Sequence, residues 1–175
     1  MLNFHAPGAG DYEWLYPILY RAALPGADYT FQSIYFWECY YGDVGLAEGF
    51  VTQHLSQDGC EVYLYPAGTG DVKPALEAIF ADAKERGGKL RLRGVTQEKR
   101  EELERLFPGK FAFTAYRDSY DYIYTVEELT ELHGKKLQAK RNHCNRFAAD
   151  HPDYTTELVT PENLYRCREM VAKWY

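Results

Sequence analysis

The sequence lacks the cysteine patterns that mark a disulfide framework or a zinc site. Its four cysteines form no C-x-x-C pair and lie near no pair of histidines: Cys39, Cys60, Cys144 and Cys167. His133 and His143 also show none of the spacings of a metal site. We therefore expect no metal, no other cofactor and no disulfide partner, and free thiols suit a reducing cytoplasm.

Segments that direct a protein to a membrane are missing too. No run approaches the roughly 20 apolar residues that a helix needs to cross a bilayer. The N-terminus, MLNFHAPGAG, has no basic flank followed by an apolar run, so it does not resemble a signal peptide. These absences predict a soluble, cytoplasmic protein without an integral membrane segment.

Serine is scarce, which limits the nucleophiles that the chain can offer. Only Ser33, Ser56 and Ser119 occur, and none lies in a G-x-S-x-G motif. No Ser/His/Asp order stands out either. The catalytic residues are therefore unknown from the sequence.

Apolar and aromatic residues, by contrast, are plentiful. They make up 46% and 16% of the 175 residues, and 16 of the aromatic residues are tyrosines. A chain of this length and composition can bury a sizeable core and does not read as disordered. It has room for one domain, or for one domain and part of another.

Positive charge is concentrated in one stretch, GKKLQAKRNHCNRF, which we call the basic segment (Gly134–Phe147). It holds five Lys/Arg and no carboxylate, whereas the rest of the chain has 15 Lys/Arg against 26 Asp/Glu. The acidic remainder would repel nucleic acid in general, but a local anion site is allowed. The plainer alternative is a solvated helix face.

Hydrophobic periodicity predicts the elements of the first 65 residues. A short strand precedes Asp11, and a helix follows it despite Pro17 inside the apolar pattern. A second helix is expected over residues 30–41. Glu48-Gly49 and Gln57-Asp58-Gly59 then break an alternating region into three short antiparallel strands.

The next 60 residues continue the mixed pattern. Asp71 is expected to cap a helix that ends at Gly87-Gly88, and KLRLRGV to form a strand whose Arg91 and Arg93 point to solvent. A charged helix should begin at Thr96. FAFTAY and SYDYIYT are interpreted as two further strands of a hairpin.

This order (β, α, α, three β, α, β, α, β, β) is that of the GNAT fold of acyl-CoA N-acyltransferases, an α/β (α+β) mixed sheet flanked by helices. Such a likeness is an analogy of fold and does not establish function. PAGTGD lies where an acyl-CoA pyrophosphate would dock, but Asp71 would repel it there. An ordinary capped turn is favoured at this place.

After residue 125 the pattern begins anew. Thr125 and Glu128 predict a capping box, the basic segment a longer helix, YTTELVT a strand, and Thr160-Pro161 the start of an amphipathic helix. Strand, Pro-containing link and helix also open the chain, as in a duplicated domain. We therefore predict a GNAT-like domain over 1–125, a basic linking segment over 126–150, and the truncated start of a second GNAT-like domain over 151–175.

The predicted helix of the basic segment has an apolar side. At steps of about 100° per residue, Leu137 shares that side with Cys144, Phe147 and Ala148, which should be buried. Cys144 is thus a core residue first, although neighbouring cations could lower the pKa of its thiol. Lys140 falls within the same stripe, so its ammonium either snorkels to water or meets an anion.

The polar residues of the basic segment are the candidate binding site. Lys135, Asn142 and Arg146 should lie together on the opposite side of the helix, and amides beside cations suit phosphate or carboxylate recognition. The candidate substrate-binding residues are Lys135, Lys136, Lys140, Arg141, Asn142, His143, Asn145 and Arg146. The structural alternative is that Glu127, Glu128 and Asp150 neutralise these cations.

Several stretches together resemble a known bacterial family. They are DYTFQSIYFW, LRLRGVTQE, LFPGKFAF, YRDSYDYIYTVEELTELHGKKLQAKRNHCNRF and PDYTTELVT. The chain is similar over nearly its whole length to the phosphatidylglycerol lysyltransferase C-terminal-domain-like family, whose soluble members are largely of unknown function. The resemblance implies tandem GNAT-like domains, distantly related to peptidoglycan aminoacyltransferases, with the catalytic groups largely in the second half.

The resemblance implies a function as well. Lipid-modifying relatives use aminoacyl-tRNA as donor and an anionic phospholipid as acceptor. We expect the N-terminal part of an aminoacyltransferase, inactive alone, with an aminoacyl-tRNA, phospholipid headgroup or acyl-CoA as anionic substrate and a missing C-terminal domain as partner. The alternative is a non-catalytic binding or regulatory module built on a degenerate GNAT-like domain.

Overall fold

Five strands form one mixed sheet in the computed structural model, which describes residues 1–174. The strands are β1 (Phe4–His5), β2 (Asp43–Ala47), β3 (Phe50–Gln57), β4 (Cys60–Leu64) and β5 (Lys89–Arg93). They lie side by side in chain order; the first three pairings are antiparallel, and β4 and β5 are parallel. The three antiparallel strands and the α/β class expected from the sequence are confirmed.

Two tight turns set the register of the antiparallel strands. Glu48 and Gly49 join β2 to β3 with φ of 49° and 82°, and Asp58 and Gly59 join β3 to β4 with φ of 53° and 72°. Two consecutive residues with positive φ are what a type I′ hairpin turn requires. The local sequence therefore fixes which residues of these strands face each other.

Helices cover both faces of the sheet. They are α1 (Tyr12–Ala22), α2 (Phe31–Phe36), α3 (Glu38–Tyr41), α4 (Lys73–Arg86) and α5 (Gln97–Leu106). One buried cluster contains Tyr63 and Tyr65 with residues of α4 and α5. The other contains Leu64 with residues of α1 and α2. Because side chains alternate along a strand, β4 is buried on both faces and forms the centre of the core.

Two helix predictions need correction. The helix expected over 30–41 is broken at Trp37, whose φ of −112° and ψ of 25° are not helical, so that α2 and α3 are separate. The predicted cap Asp71 lies one residue too early, because Val72 is the residue that precedes α4. Asp71 still accepts a hydrogen bond from the backbone N–H of Lys73 at 3.0 Å.

The hairpin predicted from FAFTAY and SYDYIYT is wrong. Residues 111–125 contain no strand, only a 3-10 turn over Arg117–Ser119. The alternating aromatic residues have a different role, since the ring of Phe111 packs 5.7 Å from that of Phe80 and 6.1 Å from that of Phe113. Alternation here reflects packing of aromatic side chains against α4 and not backbone pairing in a sheet.

The chain divides into two compact units, Met1–Asp121 and Tyr122–Tyr175. The second contains α6 (Val126–Glu131), α7 (Gln138–Asp150) and α8 (Leu164–Trp174). Thr125 and Glu128 form the expected capping box of α6. The strand predicted from YTTELVT is wrong, because residues 154–160 pair with no described strand. The three-part division of the chain and the likeness to GNAT domains stay predictions.

Candidate functional site

The basic segment is divided between a turn and a helix. Residues 134–137 form a turn, in which Gly134 has a φ of 78°, and α7 begins only at Gln138. Lys135 and Lys136 therefore precede the helix. The prediction that Lys135 shares a helical face with Asn142 and Arg146 is wrong, because it assumed an unbroken helix from Gly134.

The apolar side expected for this helix is mostly exposed. Leu137 is only 4% exposed, but Phe147 is 51% exposed and Cys144 and Ala148 are also exposed. The interpretation of Cys144 as a core residue is therefore wrong. In the second unit, Leu137 is the one buried residue among those described, so the apolar side of α7 has no core to face. Phe147 instead contacts the rings of His151 and Tyr154 at 4.9 and 5.2 Å.

Lys136 and Lys140 share an aromatic neighbour. The ammonium of Lys140 lies 5.2 Å from the ring centroid of Tyr124, and that of Lys136 lies 6.0 Å from the same centroid. Both distances fall within the range of a cation–π interaction. Among the described residues, no carboxylate oxygen lies within 4.0 Å of either ammonium or of Lys135.

The two arginines of the basic segment have other partners. Arg141, half-buried, donates from Nη1 to the backbone carbonyl of Leu132. Arg146 pairs with Asp150 at 3.5 Å, with both side chains mostly exposed, so this pair adds little stability. For Arg146, the alternative that a carboxylate neutralises the cation is therefore correct, with Asp150 as the partner. Asn142, His143 and Asn145 are exposed on α7.

Glu128 is engaged in the capping box of α6. Its carboxylate accepts hydrogen bonds from the backbone N–H and the hydroxyl of Thr125 at 2.9 and 3.3 Å. The pKa of Glu128 is lowered mainly by the backbone hydrogen bond from Thr125, and the charge of Lys136 adds to this effect. The hydrogen bond at the start of α6 therefore affects the carboxylate of Glu128 more than the charge of Lys136 does.

A shallow concavity of about 190 Å³ borders the basic segment. Its lining residues are Thr125, Glu127, Glu128, Glu131, His133, Lys136 and Leu137. Three carboxylates make it unsuitable for an anion, and it is smaller than the pockets that enclose most ligands. Lys136 is the one predicted binding residue that lines it, so an anion would meet the cations on an open surface.

The sequence reasoning missed a polar cluster around Arg93. The Nη2 of Arg93 donates to Oε1 of Gln53 at 2.6 Å, its guanidinium lies 4.4 Å from the ring centroid of Tyr41, and Asp28 lies 3.5 Å away. Burial lowers the pKa of Arg93, while the charge of Asp28 opposes that effect. The expectation that Arg93 points to solvent is wrong, because its side chain is only 21% exposed.

No signal in the sequence separates Arg93 from Arg91, because both occupy the same face in the alternation of β5. Arg91 is exposed as expected. The buried partner Gln53, only 1% exposed, is what distinguishes Arg93, and it lies on a distant strand. The cluster links β3, β5 and the segment before α2 and serves the architecture of the first unit.

The sequence matches a known protein family over most of its length. A family model described as "Phosphatidylglycerol lysyltransferase, C-terminal" matches residues 21–175. The chain belongs to this family. Membership of the phosphatidylglycerol lysyltransferase C-terminal family is consistent with an acyltransferase-like module.

A solved structure resembles the chain as a whole. It is the crystal structure of a conserved protein of unknown function from Bacteroides thetaiotaomicron, 30% identical, with a TM-score of 0.82. The match covers 99% of the present chain and 59% of that chain, so the present chain spans about three-fifths of that relative's length. No curated protein matches the present chain.

Metal-binding and membrane-spanning features can be stated for residues 1–174. In that range no group of three or more His, Cys, Asp or Glu side chains is arranged to hold a metal ion. None of the helices there has the length and apolar character to cross a membrane. The four cysteines are free thiols.

Proposed function

We propose that the chain is part of an aminoacyltransferase-type enzyme in which the basic segment holds an anionic substrate. The substrate is an activated donor such as aminoacyl-tRNA, or an acceptor such as a phospholipid headgroup. One observation carries the proposal: Lys135, Lys136 and Lys140 have no carboxylate within 4.0 Å among the described residues. Membership of the phosphatidylglycerol lysyltransferase C-terminal family supports it.

The proposed transfer requires no covalent bond to the side chains of the basic segment. An acceptor hydroxyl or amine attacks the carbonyl carbon of the aminoacyl ester, a new ester or amide bond forms, and the bond to the ribose oxygen of the tRNA breaks. The ribose oxygen takes up the proton that the acceptor loses, and the protein contributes by positioning the partners and by binding the anionic donor. In this proposal the basic segment acts through its positive charge and not as a nucleophile.

A non-catalytic binding module is the second candidate. It is favoured by Asp71, whose carboxylate lies at the N-terminus of α4, where an acyl-CoA pyrophosphate would dock in a working GNAT domain. The first unit would then serve as a scaffold without substrate chemistry. Both candidates require the basic segment to bind an anion, and only the first requires transfer.

The test removes two cations and compares binding. The variant Lys136→Ala with Lys140→Ala is titrated at low salt with aminoacyl-tRNA and with vesicles of phosphatidylglycerol and phosphatidylcholine. We expect at least tenfold weaker binding than for the unmodified chain, because each lost phosphate contact removes charge-dependent affinity. The matched control is Lys84→Ala with Arg91→Ala, which removes the same charge from exposed positions of the first unit.

Two outcomes decide between the candidates. Equal affinities of both double variants and the unmodified chain, with circular dichroism unchanged, would refute the anion site. A second assay distinguishes the enzyme from the binding module. It measures whether the full-length protein releases the amino acid from charged tRNA. Binding without release supports the module.

A further inference from the structure

The ring of Tyr124 lies beside two lysines of the basic segment. The ring is half-buried, whereas the neighbouring Tyr122 is 90% exposed. The ammonium groups of Lys136 and Lys140 lie 6.0 and 5.2 Å from its ring centroid. One aromatic ring therefore accompanies two cations that are four residues apart in the sequence.

Two like charges beside one ring repel each other, which by itself would drive the side chains apart. The negative face of an aromatic ring attracts ammonium groups and offsets part of that repulsion. Glu128, whose carboxylate senses the charge of Lys136, already accepts a hydrogen bond from the backbone N–H of Thr125. The ring of Tyr124 thus takes the place that a carboxylate holds in an ordinary ion pair.

The local backbone holds the ring and the lysines in place. Tyr124 directly precedes Thr125, whose capping box with Glu128 fixes the start of α6. Leu137, which is 4% exposed, lies between the two lysines in the sequence and anchors the turn that carries them into α7. Ordering both side chains before a ligand arrives reduces the entropy cost of binding.

We propose that Tyr124 is a positioning residue of the anion site: its ring holds Lys136 and Lys140 ready to meet a phosphate ester of the substrate. The inference rests on the proposed function and adds to it a residue outside the basic segment. Ammonium groups act as point charges toward phosphate, so their placement, and not a fixed hydrogen-bond geometry, sets the affinity. The phosphate ester belongs either to a lipid headgroup or to tRNA.

The experiment compares two substitutions of one residue. Tyr124→Phe keeps the ring and loses the hydroxyl, whereas Tyr124→Leu keeps apolar bulk and loses the ring. The two ligands are vesicles of phosphatidylglycerol and phosphatidylcholine, and aminoacyl-tRNA, both at about 50 mM salt. We expect Tyr124→Phe to bind within twofold of the unmodified chain and Tyr124→Leu to bind about fivefold more weakly.

A double-mutant cycle separates positioning from a structural role. In the background of Lys136→Ala with Lys140→Ala, Tyr124→Leu should cause no further loss, because the ring acts through those lysines. A further loss of similar size in that background would overturn the proposal. Equal weakening by Tyr124→Phe and Tyr124→Leu would also overturn it, because the hydroxyl would then be the important group.

The outcomes also separate this inference from the proposed function. If the lysine double variant binds both ligands as tightly as the unmodified chain, or if the unmodified chain binds neither, these lysines form no anion site and both proposals fail. If the lysine variant weakens binding but Tyr124→Leu does not, only the role of Tyr124 fails. The ligand that responds to both changes identifies the source of the phosphate.

Discussion

Arg93 places a charged guanidinium in a largely desolvated position of the first unit. Its strongest contact is the hydrogen bond to Oε1 of Gln53 at 2.6 Å, and the ring of Tyr41 and the carboxylate of Asp28 add to it. Within residues 1–174, the buried Nη1 of Arg93 and Nε2 of Gln53 find no hydrogen-bond acceptor. The cluster is therefore sensitive to the loss of any partner.

The substitution Arg93→Ala tests this sensitivity. We expect a loss of about 2–3 kcal/mol in the free energy of unfolding, because Oε1 of Gln53 would lose its donor and Asp28 its counter-charge. Urea denaturation followed by far-ultraviolet circular dichroism measures the change. Arg91→Ala, which removes an exposed arginine two residues earlier, should change stability by less than about 0.5 kcal/mol. Equal effects of the two substitutions would contradict the role assigned to the cluster.

The pairing of β1 with β2 depends on a close backbone approach at Gly45. Gly45 pairs with Phe4 in the register of β1 and β2. A Cβ atom at Gly45 would collide with the backbone carbonyl of Asn3 and would lie 2.9 Å from the ring of Phe4. That ring packs on His54 and Tyr63 with centroid distances of 5.1 and 6.1 Å. Glycine at this position therefore allows β1 to complete the edge of the sheet.

Gly45→Ala should displace β1 from the sheet. The expected cost is about 1–3 kcal/mol of unfolding free energy, typical of overpacking at a site that cannot relax. The substitution should also increase the rate of hydrogen exchange in residues 2–6 more than in β3 and β4. Gly10→Ala is the control, because a Cβ atom there would meet no atom of the described residues within 4 Å. Unchanged protection of residues 2–6 would show that β1 tolerates the methyl group.

At the scale of the whole chain, burial and charge are unevenly divided. Of the core residues that the structure describes as buried, all except Leu137 lie in the first unit, Met1–Asp121. That unit also contains four carboxyl groups whose pKa values are lowered: Asp11, Glu61, Asp82 and Glu102. The pKa values of Glu128 and Glu162 in the second unit are lowered as well, but these two side chains are exposed, so the buried and half-buried carboxyl groups of this kind lie in the first unit.

Glu61 illustrates the cause of these lowered pKa values. Hydrogen bonds from Ser56 and His54, at 2.7 and 2.6 Å, hold the pKa of Glu61 below its usual value of 4.5, and the charge of Arg86 contributes less. A carboxyl group with a lower pKa in the folded state stabilises the protein above its unfolded pKa. That contribution is lost as the pH falls through the folded pKa.

We therefore expect the unfolding free energy to decrease as the pH is lowered below about 4.5, the ordinary pKa of a glutamate. Glu61→Gln should make this decrease shallower and should cost about 1–2 kcal/mol at neutral pH, because an amide accepts weaker hydrogen bonds than a carboxylate. Urea denaturation between pH 3 and pH 7 measures both effects. Glu48→Gln, at an exposed turn position, should leave the pH profile unaltered. A Glu61→Gln profile as steep as that of the unmodified chain would contradict the assignment.

Local chemistry was readable from the sequence where a few neighbouring residues decide the structure. Glu48-Gly49 and Asp58-Gly59 predicted their turns, Thr125 and Glu128 their capping box, and Gly87 the end of α4. Each of these features depends on backbone conformations and hydrogen bonds within about five residues. The family resemblance was equally a property of the sequence, and the family match confirmed it.

Only the tertiary structure decided features that depend on distant partners. Phe111 and Phe113 alternate like strand residues but pack against a buried cluster of the first unit, and Arg93 differs from Arg91 only because Gln53 lies beside it. The half-buried ring of Tyr124 beside Lys136 and Lys140 likewise depends on how the turn before α7 folds back. Periodicity records which residues share a face, whereas burial, pairing and charge compensation depend on what lies opposite that face.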